Sequence, residues 1–261
     1  MSTPVAKRWN KQVRKLTDSL AATLRSCLAG GTVETVHDLR VQLRRARVYL
    51  RAGRPVLSPR ALRKFVAWSH QGEDPLGAVR DLDITLEWLL RRNHAPDLSR
   101  QLQSARAERW RQARPAVRQL ARNFPAPAAS HDHPRRLAHG LDRAVQEQSR
   151  LLRAHRRALI RLTIPQVHAL RKKVRCLRYL LELTLPARQQ PAHRVLRALV
   201  ALQDALGEHQ NCIARQRILI RLAQPMLTQE LLGALDVERM GHLRRAEQRL
   251  KRVKLLLRAA G

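Results

Sequence analysis

A chain of 261 residues, 44% of them hydrophobic, has enough apolar material for one large core or two small ones. Only 3% is aromatic, so the core must rest on Leu, Val, Ile and Ala, which beside abundant Arg and Glu suits helices rather than strands. Lys and Arg number 52 against 20 Asp and Glu, a formal charge of +32. Such an excess repels itself in a compact state and asks for an anionic partner: nucleic acid, an acidic membrane surface or polyphosphate. Only eight of the 52 are Lys. Genomic base composition contributes to such an Arg excess, and so does function, because a guanidinium grips phosphate oxygens in pairs where an ammonium acts as a point charge. The first ten residues hold no apolar run, and nowhere do about 18 uncharged apolar residues follow one another, which argues against a secretory signal and against membrane insertion. Cys27, Cys176 and Cys212 show no metal or redox spacing, and so sparse a set suits a reducing cytoplasm.

In chain order, apolar residues recur at helical spacing over 33–51, 62–69, 76–90 and 98–122, then over 137–161, 167–183, 195–222 and 227–259. No alternating strand pattern appears. Prolines 55, 75, 165, 186, 191 and 225 fall where helices should stop or start, and Asp74-Pro75 reads as an N-cap followed by the first helical residue. The clearest linker is 123–134, NFPAPAASHDHP, near the midpoint.

The two sides of that linker resemble each other. VHDLRVQLRRARVYL at 36–50 aligns with VHALRKKVRCLRYLL at 167–181, and DPLGAVRD at 74–81 aligns with DALGEHQN at 204–211, at offsets of 131 and 130 residues. Two motifs at nearly one offset indicate duplication. The expected organisation is a single all-α domain over 1–261: a first half-repeat at 1–122, a linker at 123–134 and a second half-repeat at 135–261, each half a four-helix bundle.

At about 100° per residue, His37, Arg40, Arg44, Arg47 and Arg51 share an arc of about 80°, and His168, Arg171, Arg175 and Arg178 repeat it with Lys172 just outside. The apolar stripe (Val36, Leu39, Leu43, Ala46 and Leu50, repeated as Val167, Leu170, Val174, Leu177 and Leu181) lies beside each basic stripe rather than opposite it. Like charges three and four residues apart cost a helix roughly 0.2–0.5 kcal/mol per pair. A costly pattern that occurs twice at the edge of the buried face reads as a polyanion groove rather than a solvated surface. Gly77 and Gly207 sit inside helical runs, where Gly costs about 1 kcal/mol relative to Ala; a close helix crossing would account for them. Asp74, Asp81, Asp83 and Asp204 either hold stripe arginines in place or simply cap and pack.

The doubled pattern His37-Arg40-Arg44-Arg47 and His168-Arg171-Arg175-Arg178, with Leu202-Gln203-Asp204-Ala205-Leu206-Gly207 and the VRDLD run at 79–83, resembles the CHAD family, the conserved histidine α-helical domain. The resemblance covers nearly the whole chain. It implies two four-helix bundles related by a pseudo-two-fold, with a basic surface or pore between them that binds inorganic polyphosphate, in a bacterial or archaeal cytoplasm, often at polyphosphate granules. The binding set it implies here is His37, Arg40, Arg44, Arg45, Arg47, Arg51, His168, Arg171, Lys172, Arg175 and Arg178. Cys176 stands where the family is commonly basic, and Gln210-Asn211 replaces a usual acidic residue. The triphosphate-hydrolase domain often attached in the family finds neither room nor a ladder of acidic strand residues.

Two other classes compete. Non-specific nucleic-acid binding would draw on the same counterion release, with nucleic acid as the weaker polyanion; Trp9, Trp68, Trp88 and Trp110 do not recur in the repeat and offer no base-stacking platform. Catalysis through a phospho-histidine would need His37 or His168, and neither has an orienting carboxylate at helical spacing. His131-Asp132-His133 reads as polar loop rather than metal site. The expectation is therefore a non-catalytic binding protein with no cofactor and no metal.

Overall fold

The computed structural model describes residues 4–92, 96–125, 133–185, 190–222 and 225–259. Among these residues the chain is all-α, with no β-strand. The helices are α1 (Pro4–Gly30), α2 (Val33–Ala52), α3 (Pro59–His70), α4 (Glu73–Leu90), α5 (Pro96–Arg122), α6 (Pro134–Arg153), α7 (Ile164–Thr184), α8 (Gln190–Leu222) and α9 (Pro225–Ala259), with short 3-10 turns at Arg54–Val56 and Leu159–Arg161.

Three of these differ from the periodicity reading. Helix α1 is not among the expected helices, yet its buried Ala6, Trp9, Val13, Leu16, Leu20, Leu24 and Cys27 recur at steps of three and four between lysines and arginines. Helix α4 begins at Glu73, so Asp74-Pro75 lies inside the first turn, not at the cap; Pro75 is tolerated there because the first helical N–H groups have no intrahelical acceptor. The run at 137–161 is broken after Arg153. Beyond the break, Lys254 Nζ donates to the His155 carbonyl at 2.7 Å and the Leu159 N–H donates to Glu247 Oε2 at 2.5 Å, so α9 supplies partners the helix would have supplied itself. Pro186, His131 and Asp132 lie outside the described residues. Where caps are visible they follow local chemistry. Thr32 Oγ1 accepts from the Thr35 N–H, and Thr163 opens α7 with a reciprocal capping box to Gln166 and Pro165 in the first turn.

Helices α1, α2, α4 and α5 pack in a ring, and so do α6, α7, α8 and α9. This is compatible with two four-helix bundles related by duplication, with α2 matching α7 and α4 matching α8. Helix α3 has no counterpart, since α7 and α8 are separated only by residues 185–189. The cores are not separate. Tyr179, Leu180 and Leu183 of α7 pack into the core built by α1 to α5 with Leu137 and Leu141 of α6, while α4 and α5 share a cluster with α8 and α9 through Leu82, Trp88, Leu102, Cys212, Leu219 and Leu235. Arg8 of α1 adds a hydrogen bond to the Thr184 carbonyl at 2.6 Å. The halves are thus pressed together along α2–α7 and α4–α8.

The α1–α2 corner depends on Gly31, whose φ of 57° is left-handed and whose missing Cβ leaves the space that the Trp110 indole fills. Gly31→Ala should cost roughly 1–2 kcal/mol for the backbone alone, with further loss from displacing Trp110. A drop in Tm of at least about 4 °C is expected, measured by circular dichroism; an unchanged Tm would contradict this packing.

Candidate functional site

Because α2 and α7 lie against each other, their basic stripes face one space. A cavity of about 1640 Å³ is lined by all eleven residues of the candidate set. From His37 to Arg51 the α2 stripe runs about 21 Å along the wall, at 1.5 Å rise per residue. The lining also includes Arg54, Arg80, Arg136, Arg143, Lys173 and Arg217, which the sequence analysis did not select. Thirteen Arg and two Lys face six carboxylates there, an excess of nine positive charges. A signal for the additions was present. Arg136, His139 and Arg143 recur at three and four residues in α6, and Arg217 follows Gln210 by two helical turns in α8.

Both interior glycines lie beside guanidinium groups rather than at a helix crossing, and at Gly77 the missing side chain leaves needed space. A Cβ on Gly77 would stand 3.1 Å from Arg40 Nη1, and one on Gly207 would stand 3.7 Å from Arg171 Nη2. Each D-x-L-G motif therefore seats the first arginine of its own half's stripe. Arg40 then donates to the Glu73 carbonyl at 2.9 Å.

The carboxylates are distributed differently from expectation. Glu73 pairs with Arg47, and its Oε2 lies 2.7 Å from His70 Nδ1. Glu182 takes Arg45 from one half and Arg178 from the other, at 3.2 and 2.7 Å, while both guanidiniums lie over the Tyr179 ring at 5.1 and 5.7 Å. Asp83 turns away from the cavity and pairs with Arg106 of α5 at 2.9 Å, because its side chain falls on the α4 face that packs on α5. Asp74, Asp81 and Asp204 do line the cavity. Arg44, Arg171 and Arg175 have neither hydrogen bond nor ion pair among the described residues, and the Nε–H groups of Arg44 and Arg171 are buried without an acceptor there.

Crowding shows in the proton affinities. Burial, reinforced by neighbouring guanidiniums, lowers Arg40, Arg171 and Arg175 to about 10, and lowers Arg44 as well. Arg171 is opposed by Arg175 of its own stripe and by Arg44 and Arg40 of the other. His37 falls below its usual value through burial and then Arg80. His168 falls through burial and then Lys172 and Arg171, partly offset by a hydrogen bond with Gln210. Burial raises Asp81 despite Arg40, Arg217 and Arg80 around it. The histidines are thus neutral members of a cationic wall that an approaching anion would favour protonating.

A family model described as CHAD domain matches residues 9–220. The chain belongs to the CHAD domain family. That family is associated with polyphosphate binding and is generally non-catalytic. Among solved structures, the chain is similar to the CHAD domain from the plant Ricinus communis, at 21% identity and a TM-score of 0.64, covering 99% of this chain and 93% of that one. It is also similar to PptA from Streptomyces chartreusis, at 20% identity and a TM-score of 0.58, covering 96% and 99%. At these identities the likeness concerns the fold. No curated protein matches. The matched CHAD segment takes in both stripes and ends before α9. Among the described residues, no helix is long and apolar enough to cross a membrane.

Five histidines (His37, His155, His168, His209 and His242) are held below their usual proton affinity, all with burial as the first cause. The unfolded chain therefore binds more protons than the folded one as pH falls through about 6.5, and stability falls with it. Asp81 acts in the opposite sense and Glu73 only at lower pH. The free protein should lose a few degrees of Tm between pH 7.5 and 5.5, and His37→Gln with His168→Gln should flatten that slope. A Tm that rises on acidification would contradict the assignment.

Proposed function

We propose that this CHAD chain binds inorganic polyphosphate in the α2–α7 cavity and does not transform it. The observation that carries the reading is the meeting of two arginine stripes, one from each half, in a single cavity where Arg44, Arg171 and Arg175 lack any acceptor among the described residues. A flexible chain of phosphates supplies closely spaced anionic oxygens, each able to accept charge-assisted bonds from a guanidinium. On this reading His37, Arg40, Arg44, Arg47, Arg51, His168, Arg171, Lys172 and Arg175 contact the polymer. Arg45 and Arg178 work mainly by fastening α2 to α7 through Glu182 and Tyr179. The protein then acts in the cytoplasm, at the granules where the polymer accumulates, as one domain made of half-repeats 1–122 and 135–261.

The lining supports polyphosphate over nucleic acid. Among the described residues its single aromatic, Tyr179, is 3% exposed and covered by two guanidiniums, so bases find nothing there to stack on. The lining also supports binding without turnover: the one His–carboxylate pair there, His70 with Glu73, shares its carboxylate with Arg47. Nucleic acid remains the weaker partner, held through its phosphates alone.

Competition of labelled long-chain polyphosphate against RNA of equal charge at fixed salt tests this. Polyphosphate should win and its affinity should fall steeply with salt; equal or tighter RNA binding would overturn the reading. Arg44→Gln and Arg175→Gln, one in each half, should each weaken polyphosphate about tenfold or more, since a hydrogen bond to a charged group contributes about 1.5–3 kcal/mol. The same substitutions should raise the Tm of the free protein by relieving repulsion. Loss of binding in one half only would reduce the other stripe to a solvated face.

A further inference from the structure

Away from the cavity, α8 and α9 bring together residues that the sequence analysis had no reason to associate. Cys212 of α8 is fully buried, and its Sγ, a carboxylate oxygen of Glu238 and a ring nitrogen of His242 all lie within 4.8 Å of one another. Glu238 and His242 are four residues apart on α9 and so project from one face. One turn before Cys212 stands His209, 2% exposed, whose Nδ1 is buried without a partner among the described residues. We propose that Cys212, Glu238 and His242 form a structural site for a zinc-like divalent cation that ties α9 to α8.

The donor set is a thiol that releases its proton on binding, a carboxylate and an imidazole, one ligand from α8 and two from α9, which suits a borderline-soft cation of tetrahedral preference with a fourth position for water. The carboxylate is already held from behind: Trp88 Nε1 donates to Glu238 Oε2 at 3.0 Å and Arg92 pairs with the other oxygen. Such supporting bonds fix a ligand's orientation while leaving lone pairs for the metal. Cations do crowd the site. Arg215 lies near Cys212, Arg245 Nη2 is 2.8 Å from His242 Nδ1, and Arg239 opposes His209. Arg215 and Arg239 are partly neutralised by Glu208 and Asp236, at 3.5 and 3.1 Å. The thiolate and carboxylate bring the two negative charges that hold a dication against the rest. Helix α9 lies beyond the segment the family model matches, so a cross-link here would secure an element that the matched segment does not include.

Metal-stripped full-length protein titrated with Co²⁺ alone, then with Zn²⁺, tests the proposal. One Co²⁺ per chain should bind with tetrahedral d–d absorption and a near-ultraviolet thiolate charge-transfer band, and Zn²⁺ should bleach both and raise Tm. Cys212→Ser should abolish the charge-transfer band. His242→Gln, at a partly exposed position where the fold tolerates change, should weaken Zn²⁺ at least tenfold while leaving the helical circular dichroism intact. His37→Gln with His168→Gln should leave the metal spectrum unchanged. A charge-transfer band persisting in Cys212→Ser, binding lost only in the cavity variant, or no saturable binding at one per chain would each overturn the site. None of these outcomes bears on polyphosphate binding.

Discussion

Mutual repulsion among guanidiniums held at the α2–α7 seam is the constraint around which the molecule is arranged. Each helix buries its apolar stripe in a separate core, and each stripe has a line of arginines along its edge; Tyr179, Leu180 and Leu183 of α7 reach into the core of α2 and so confine the two lines together. Like charges confined at reduced dielectric cost more than they would in water. The neighbouring parts each reduce that cost. Gly77 opens room for Arg40, Glu73 draws Arg47, and Glu182 with Tyr179 absorbs Arg45 and Arg178. What remains at Arg44, Arg171 and Arg175 is positive charge without a partner among the described residues, a cost to the free protein that an anion would relieve on the proposed reading.

The stripes were legible in sequence because helical spacing is a local property, and a residue's angle about its helix survives packing. The alignment of 36–50 with 167–181 set α2 beside α7 in the sequence reading, and the structure brings these two helices into contact. Helix α1 escaped because lysines and arginines interrupt its apolar steps, though Ala6, Trp9 and Val13 keep the period. The carboxylate partners were not legible. Asp83 is one residue of a motif that looks dedicated to the stripe, yet its direction is set by α5, which supplies Arg106. Glu182 carries no motif at all, and its link between the two stripes arises because α2, five helices earlier in the chain, presents Arg45 to it. Pairings across long separations depend on tertiary geometry that no window of sequence contains.

The cavity's extra lining makes the same point in reverse. Arg136, His139 and Arg143 form a regular face of α6, visible as a pattern, but the pattern alone does not say whether that face meets solvent or a groove. Packing of α6 beside α7 and the turn at Arg54–Val56 decides it. The cationic lining therefore extends past the paired stripes, and the matching histidines differ within it: His37 is opposed by Arg80, while His168 has a hydrogen bond with Gln210.

The placing of Tyr179, Leu180 and Leu183 in the core of the first half bears on how the chain is born. A ribosome making about 5–20 residues per second needs roughly 3–12 seconds to advance from the end of α5 to these three positions. Through that interval helices α1 to α5 exist without the apolar side chains that close their seam. The gap left by α7 is bordered by arginines, and like charge opposes the approach of another equally basic chain to it. The charge that burdens the finished fold thus guards its unfinished edge during synthesis.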